Sequence, residues 1–242
     1  MTMLLNPYRF DYGQASGLNP SDPANIYIQH DLQNPADASQ DRNAWATNGT
    51  NTGASVDTAR TLFGLPTTHF NLSNYIRVPS IDFNALVASD FVMEAWVYAN
   101  TRGSIMTVYQ DRRQFTFRVG FAWIFTQENS FTNFFEFGSG AAATLNMWQH
   151  HAWQRRVGTG GAPDTHAFFI DGVRTATATT TKRWRSTSMS TSGGTDFTLS
   201  RTGRGGSNGY AFEGNMAQAR FPTEAFYPSG GFTPPAGPFP TS

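Results

Sequence analysis

The feature that most constrains this chain is a long alternation of aromatic and polar side chains near its middle. In QFTFRVGFAWIF, Phe115, Phe117, Val119, Phe121, Trp123 and Phe125 fall on one parity. Thr116, Arg118, Gly120, Ala122 and Ile124 fall on the other. A period of two places alternate residues on one face of a strand, whereas a helix would scatter them around its axis. The run therefore predicts one long strand with a buried aromatic face. FVMEAWVY is apolar at both parities except for Glu94, as expected of a strand covered on both sides. HAFFIDGVRTATATTT reads as two alternating runs joined by Asp171-Gly172, the residue pair a tight primed turn favours. Further strands are expected at Ile26–Gln29, Tyr75–Val78, Phe131–Phe137, Trp148–Val157, Phe197–Arg201 and Tyr210–Phe221. No segment combines a helical period with caps. Many strands separated by Gly, Ser and Asn turns predict an all-β chain, an antiparallel two-sheet sandwich or jelly roll.

With 242 residues, the chain has room for one large domain of this kind. Residues 1–55 are rich in Asn, Asp, Gly, Pro and Ser and read as an extended or irregular N-terminal arm, a docking segment without a core of its own. The sandwich is expected over 56–228. Residues 229–242, which include GGFTPPAGPFPTS, form a Pro-rich tail that cannot enter a central strand.

Composition narrows the function classes. The 17 basic and 17 acidic residues cancel, so the basic footprint of general nucleic-acid binding is missing. Lys182 is the one lysine against 16 arginines, and arginine suits fixed, partner-facing contacts better than lysine does. Aromatics at 14% argue against disorder. The absence of cysteine removes disulfides, thiolate metal sites and thiol nucleophiles together. No apolar run approaches the ~20 residues needed to cross a bilayer as a helix. The opening MTMLLNPYRF lacks a basic start with a sustained apolar segment, so no signal peptide is expected.

Catalytic and metal chemistry find little support. Glycoside hydrolysis needs two carboxylates roughly 5–9.5 Å apart. On strands that means acids at alternate positions, and Glu94, Glu136 and Glu213 each stand alone. His150 and His151 are adjacent, so in a strand they face opposite ways and cannot share a metal ion. No G-x-S-x-G elbow is present. The stretch from Arg174 to Arg204 carries Arg174, Lys182, Arg183, Arg185, Arg201 and Arg204 against Asp196. It is either a contact surface for an acidic partner or anionic glycan, or a charged edge that blocks strand-to-strand aggregation.

The order of the strand phrases resembles the laminin G-like branch of the concanavalin A-like lectin/glucanase superfamily. The phrases are NYIRVP, SDFVMEAWVYAN, SIMTVYQD, MWQHHAWQRR, AFFIDGVR, DFTLSRTG and YAFEGNMAQARF followed by FYPSGGFTPP, over about Leu62 to Pro235. The resemblance implies structural roles for Trp96 as a buried central-strand tryptophan, for Trp148, and for the Asp171-Gly172 turn. It implies glycan or protein recognition more often than catalysis. Where the family usually carries an acidic pair before the last Arg, this chain has Met216, Ala217, Gln218 and Ala219. Rim positions for carbohydrate or partner contact are Tyr109, Asp111, Arg112, Trp184, Arg204 and Tyr210. A structural calcium near Asp111 is the one cofactor the resemblance suggests; no other is implied. The opening LLNPYRF resembles the starts of tailed-bacteriophage structural proteins. The expectation is thus a non-catalytic virion protein, either a decoration protein or an adhesin for host glycans, with a polysaccharide-degrading enzyme as third reading. Its expected partners are other virion proteins through the arm and host glycans, with self-association as a further possibility and no nucleic acid or membrane insertion.

Overall fold

The computed structural model describes residues 26–30, 32–33, 42–43, 50–79, 89–110, 113–125, 134–138, 140–181, 196–201, 210–222 and 227–238. In chain order the first strands are β1 (Ile26–His30), β2 (Arg42–Asn43), β3 (Thr50–Thr52), β4 (Ser55–Leu62), β5 (Leu65–Phe70) and β6 (Tyr75–Pro79). The middle holds β7 (Phe91–Ala99), β8 (Ser104–Gln110), β9 (Arg113–Arg118), β10 (Phe121–Phe125) and β11 (Phe134–Gly138). A short 3₁₀ turn at Gly140–Ala142 leads to β12 (Trp148–Arg156), β13 (Asp164–Ile170), β14 (Val173–Thr180), β15 (Asp196–Leu199) and β16 (Gly214–Pro222).

These strands form two antiparallel sheets. Sheet A has nine strands, in the order β14-β13-β12-β7-β16-β1-β2, with β5 also paired to β16 and β4 to β5. Sheet B has seven, in the order β11-β10-β9-β8-β15-β6-β3. The layers meet over an aromatic core. From sheet A, Phe91, Met93, Ala95, Val97, Trp153 and Phe168 point inward; from sheet B come Met106, Val108, Phe115, Phe117, Phe197 and Leu199. Phe91 lies edge-on to Trp153 at 5.2 Å, to Phe221 at 5.3 Å and to Phe115 at 5.5 Å, the geometry ring quadrupoles favour. Each buried ring of this size contributes roughly 1.5–3 kcal/mol by removal from water.

The sandwich is the fold the alternation predicts, but four details differ. The run from Gln114 to Phe125 is two strands, β9 and β10, joined at Val119-Gly120, where Gly120 has φ +82°. The turn reverses the parity, so Phe117 and Ala122 pair and are buried while Arg118 and Phe121 pair on the outer side. The strand expected from Tyr210 begins only at Gly214, and Ala211 makes a lone bridge to Ser104. The hairpin β4–β5 was not foreseen, because its turn is Phe63-Gly64, an unusual pair with φ +54° and +76°. Finally, β1 pairs with β16 in sheet A and β3 with β6 in sheet B, so sheet pairing begins upstream of the boundary drawn at residue 55. The polar strands β2 and β3 carry no hydrophobic period to announce themselves, and the strand expected at Ile26–Gln29 gives no local sign of its partner β16.

Sheet A is covered on both faces over part of its width. On its outer face Val92, Ala152, Phe169 and Tyr227 form a second apolar cluster, with Phe232 against it. The rings of Tyr227 and Phe232 stack face to face, 3.6 Å apart. The C-terminal segment crosses the β13–β14 turn here: the Phe232 N–H donates to the Gly172 carbonyl at 2.9 Å. A Cβ on Gly172 would stand 1.8 Å from the Phe232 carbonyl oxygen, which together with φ +75° restricts the position to glycine.

Candidate functional site

The outer face of sheet A gathers the side chains with chemistry. Cross-strand pairing through β12, β7 and β16 sets three rows. Trp148, Tyr98 and Asn215 form one, His150, Trp96 and Ala217 the next, and Ala152, Glu94 and Arg220 the third. Arg220 reaches this face through a bulge. Gln218, at φ +58°, is an extra residue between Ala217 and Ala219. Were Gln218 paired in regular register instead of bulged, Ala219 would oppose Glu94 and Arg220 would oppose Met93, pointing into the core.

The third row is a sealed ionic cluster. Glu94 and His150 have no exposure and Arg220 only 1%. The Arg220 Nε–H donates to one Glu94 oxygen, the Tyr227 hydroxyl donates to the other, and His150 Nε2 lies 3.0 Å from that second oxygen. Burial pushes the Glu94 carboxyl up, but Arg220, His150 and Tyr227 outweigh it and hold the group at about 2. Such a carboxylate is a fixed anion, unsuited to exchanging protons near neutrality. On the inner face, burial and then the neighbouring His150 press His151 down to about 3.

Two segments cover this centre. From one side, the β4–β5 hairpin lays the Arg60 guanidinium 4.1 Å over the Tyr98 ring and Phe63 edge-on to Trp96 at 5.5 Å. Asn215 ties it down, accepting from Arg60 Nη1 at 2.9 Å and donating to Asp57 at 2.9 Å. The Asn215 amide and the Arg60 backbone N–H hold the Asp57 carboxyl below its ordinary range. From the other side comes Tyr227, whose backbone exchanges two hydrogen bonds with the Gln154 amide, at 2.7 and 3.0 Å.

Beyond Tyr227 the same face opens into a groove of about 800 Å³ over β12, β13 and β14. Its floor and sides include Arg156, Thr165, Ala167, Arg174, Thr177 and Thr179, with Tyr227, Pro228 and Ser229 forming one wall. Arg156 and Arg174 are both exposed, and no acidic side chain is among the described residues lining the groove. The neighbouring acids are engaged elsewhere. Asp164 is paired with Arg155 at 2.7 Å, and Asp171 accepts from the His150 N–H at 2.8 Å and from the Gln149 amide at 3.2 Å.

A family model described as the concanavalin A-like lectin/glucanases superfamily, of laminin G-like type, matches residues 70–228. The chain belongs to that family. No curated protein matches its sequence significantly. Among solved structures, the laminin G-like sandwich is similar to domain 4 of an extracellular arabinanase from Geobacillus stearothermophilus, determined with arabinotriose. The TM-score is 0.53 at 13% identity, over 83% of this chain and 93% of that one. It is also similar to a carbohydrate esterase from the Shiga toxin-encoding bacteriophage phi24B, with a TM-score of 0.50 at 12% identity, over 83% and 99%. The binding domain of botulinum neurotoxin serotype D gives 0.52 at 10% identity, over 84% and 49%. At these identities the likeness is one of fold.

The family's structural positions sit as follows. Asp171-Gly172 is a tight turn with both φ angles positive, between the paired Ile170 and Val173. Trp96 is half-buried and faces outward, against the expectation of a core tryptophan; Trp153 fills the inter-sheet core instead. The parity of β7 decides this, since Phe91 to Ala99 at odd positions line the interior. Trp148 is also half-buried on the outer face, edge-on to Tyr98 at 5.9 Å. Of the rim candidates, Asp111, Arg112, Trp184 and Arg204 lie outside the described residues. The backbone of Tyr109 belongs to β8, in sheet B. Tyr210 is 48% exposed beneath the Arg118 guanidinium at 4.3 Å, and its carbonyl accepts from the β8 residue Ser104, away from sheet A's outer face. Arg201 stacks on Tyr75, while Arg174 sits on sheet A, so the basic stretch read in the sequence is divided between the layers. Sequence reasoning missed Arg60, Phe63, Tyr98, Arg156, Arg220 and Tyr227. One signal was present: a lone Glu94 in an otherwise apolar strand demands a buried cation.

Proposed function

We propose that this chain is a carbohydrate-recognition domain without catalytic activity, and that the outer face of sheet A is its binding face. The supporting observation is the division of that face. Among the described outer-face side chains of β7, β12, β13 and β16, Glu94 is the one carboxylate, and it is locked by three partners out of reach of solvent. Hydrolysis of a glycosidic bond calls for two accessible acids, whereas binding calls for an open concavity with a few convergent polar groups, which the groove beside Tyr227 offers. The arabinanase domain determined with arabinotriose is a similarly folded protein in contact with sugar. A glycan array probed with the full chain tests the reading: retained saccharides with no release of reducing ends support it. Hydrolysis abolished by Glu94→Gln would replace it with the enzyme reading.

The setting proposed is a virion, where the sandwich faces outward and residues preceding β1 dock it to other particle proteins. Its supports are the cysteine-free composition and a similar fold in a bacteriophage esterase. Mass spectrometry of purified particles tests it. Shell-lattice copy numbers favour a decoration protein, tail-like numbers favour an adhesin, and absence from the particle ends the proposal.

A further inference from the structure

We infer that the groove over β12–β14 takes an acidic oligosaccharide, and that Arg156 and Arg174 determine that specificity. The inference deepens the carbohydrate reading above and rests on it. Register places the two arginines at opposite ends of the groove. Arg156 shares a row with Thr165 and Thr179, while Arg174 lies across from Phe169, four residues further along β13. At ~3.4 Å per residue and ~4.8 Å per strand, their Cα atoms are roughly 16 Å apart, room for more than one sugar ring.

Three observations select an anion. The two guanidiniums are exposed in a concavity whose described lining holds no carboxylate to neutralise them. Asp164 and Asp171, the acids closest in sequence to the groove strands, already serve Arg155, Gln149 and the His150 N–H. A guanidinium presents paired donors that match a carboxylate or sulfate, and a charge-assisted bond of that kind is about twice as strong as a neutral one. The groove also lacks the platform a neutral sugar would use. Its aromatic wall residue Tyr227 has no exposure and stacks on Phe232, so no ring face is free for stacking there. The threonine hydroxyls between the arginines can donate to and accept from ring hydroxyls. An edge-guarding role accounts for Arg174 on the edge strand β14, but not for Arg156, which stands two strands inside.

The test is calorimetric titration of the full chain with three probes of matched length: an oligogalacturonate, a sulfated galactan oligosaccharide and a neutral galacto-oligosaccharide. At least one acidic probe should bind about tenfold or more tightly than the neutral one, the difference expected for a hydrogen bond to a charged group. The uronate and sulfate arms tell which anion is preferred. Arg156→Gln and Arg174→Gln should each remove about tenfold of the acidic affinity, leaving neutral binding unchanged. The melting temperature should hold for Arg174→Gln, while Arg156→Gln also gives up the bond its Nη2 donates to the Tyr227 carbonyl at 3.3 Å. Equal binding of acidic and neutral probes, untouched by either variant, overturns the acidic specificity and leaves carbohydrate recognition standing. Tight acidic binding that both variants retain overturns the location. An aggregating Arg174→Gln with unaltered affinity assigns that arginine to the sheet edge and overturns its role. No retention of any saccharide, on the array or in titration, overturns both readings.

Discussion

The two halves of sheet A's outer face share strand β12 and the same alternation, yet they behave as opposites. Around Glu94 every charged group is buried and matched, because the β4–β5 hairpin and the C-terminal segment lie on top. Past Tyr227, whose carbonyl accepts from Arg156 Nη2 at 3.3 Å, the cover ends, and Arg156 and Arg174 stand exposed with no carboxylate among the described residues lining the groove. The difference teaches that cover, more than strand sequence, decides what a charge does. A buried ion must be compensated within the protein, so the centre is committed to holding segments together. An exposed ion can keep its hydration until a partner arrives, so the edge is available for recognition.

The largest effect expected is with acid, which attacks the ionisable groups buried in the core and under the cover. His151 and His166 are held near 3, below the ordinary 6.5, chiefly by burial, so the unfolded chain takes up protons before the folded one does. Their stabilisation is complete above pH 6.5 and declines as pH falls toward 3, on the order of 1.4 kcal/mol per pH unit for each. Glu94, held at about 2 against an ordinary 4.5, adds a loss in the same direction as pH falls from 4.5 toward 2. Urea midpoints at pH 7, 5.5 and 4 check this; stability flat across that range would mean the histidines are not buried as described.

Glu94→Gln comes next. It leaves Arg220 buried without its counter-charge, at a cost of about 3–5 kcal/mol in chemical denaturation. Glu94→Gln combined with Arg220→Met should recover much of that. A single-variant loss no larger than a surface substitution gives would erase the distinction between the halves. Gly172→Ala follows, at about 2–4 kcal/mol, from a left-handed φ and a forced contact with the Phe232 carbonyl. Hydrogen exchange should show loss of protection concentrated at Tyr227 and Phe232, which sharpens the assignment of the C-terminal segment as the cover. The smallest effect is that of Arg174→Gln, within about 0.5 kcal/mol in stability. A larger loss would place that arginine in the structural half.

Much of the fold was legible along the chain. The doubly covered strand from Phe91 to Tyr98, the Asp171-Gly172 turn and the opposite facing of His150 and His151 follow from local rules of strand parity, burial and turn preference that operate between neighbours. The errors fall where that parity is reset. A two-residue turn at Val119-Gly120 puts Phe121 on the face opposite Phe117, and nothing in the alternation marks it except one glycine. Phe63-Gly64 hid a hairpin because phenylalanine rarely accepts a left-handed conformation. Tyr210, expected at an exposed rim, is 48% exposed, whereas the groove lies on strands.

By itself, then, the sequence determined the class: aromatic alternation, primed-turn residues and the order of strand phrases require two packed antiparallel layers. The tertiary structure alone decided which charges meet. Glu94 and Arg220 are 126 positions apart and face one another because Gln218 adds a residue to β16. Tyr227 and Phe232 end the cover at a point no local pattern records. Periodicity is carried by covalent neighbours and can be read along the chain. Pairing of distant charges and the extent of a covering segment depend on register and on what folds back over the sheet, and these exist only once the layers have assembled.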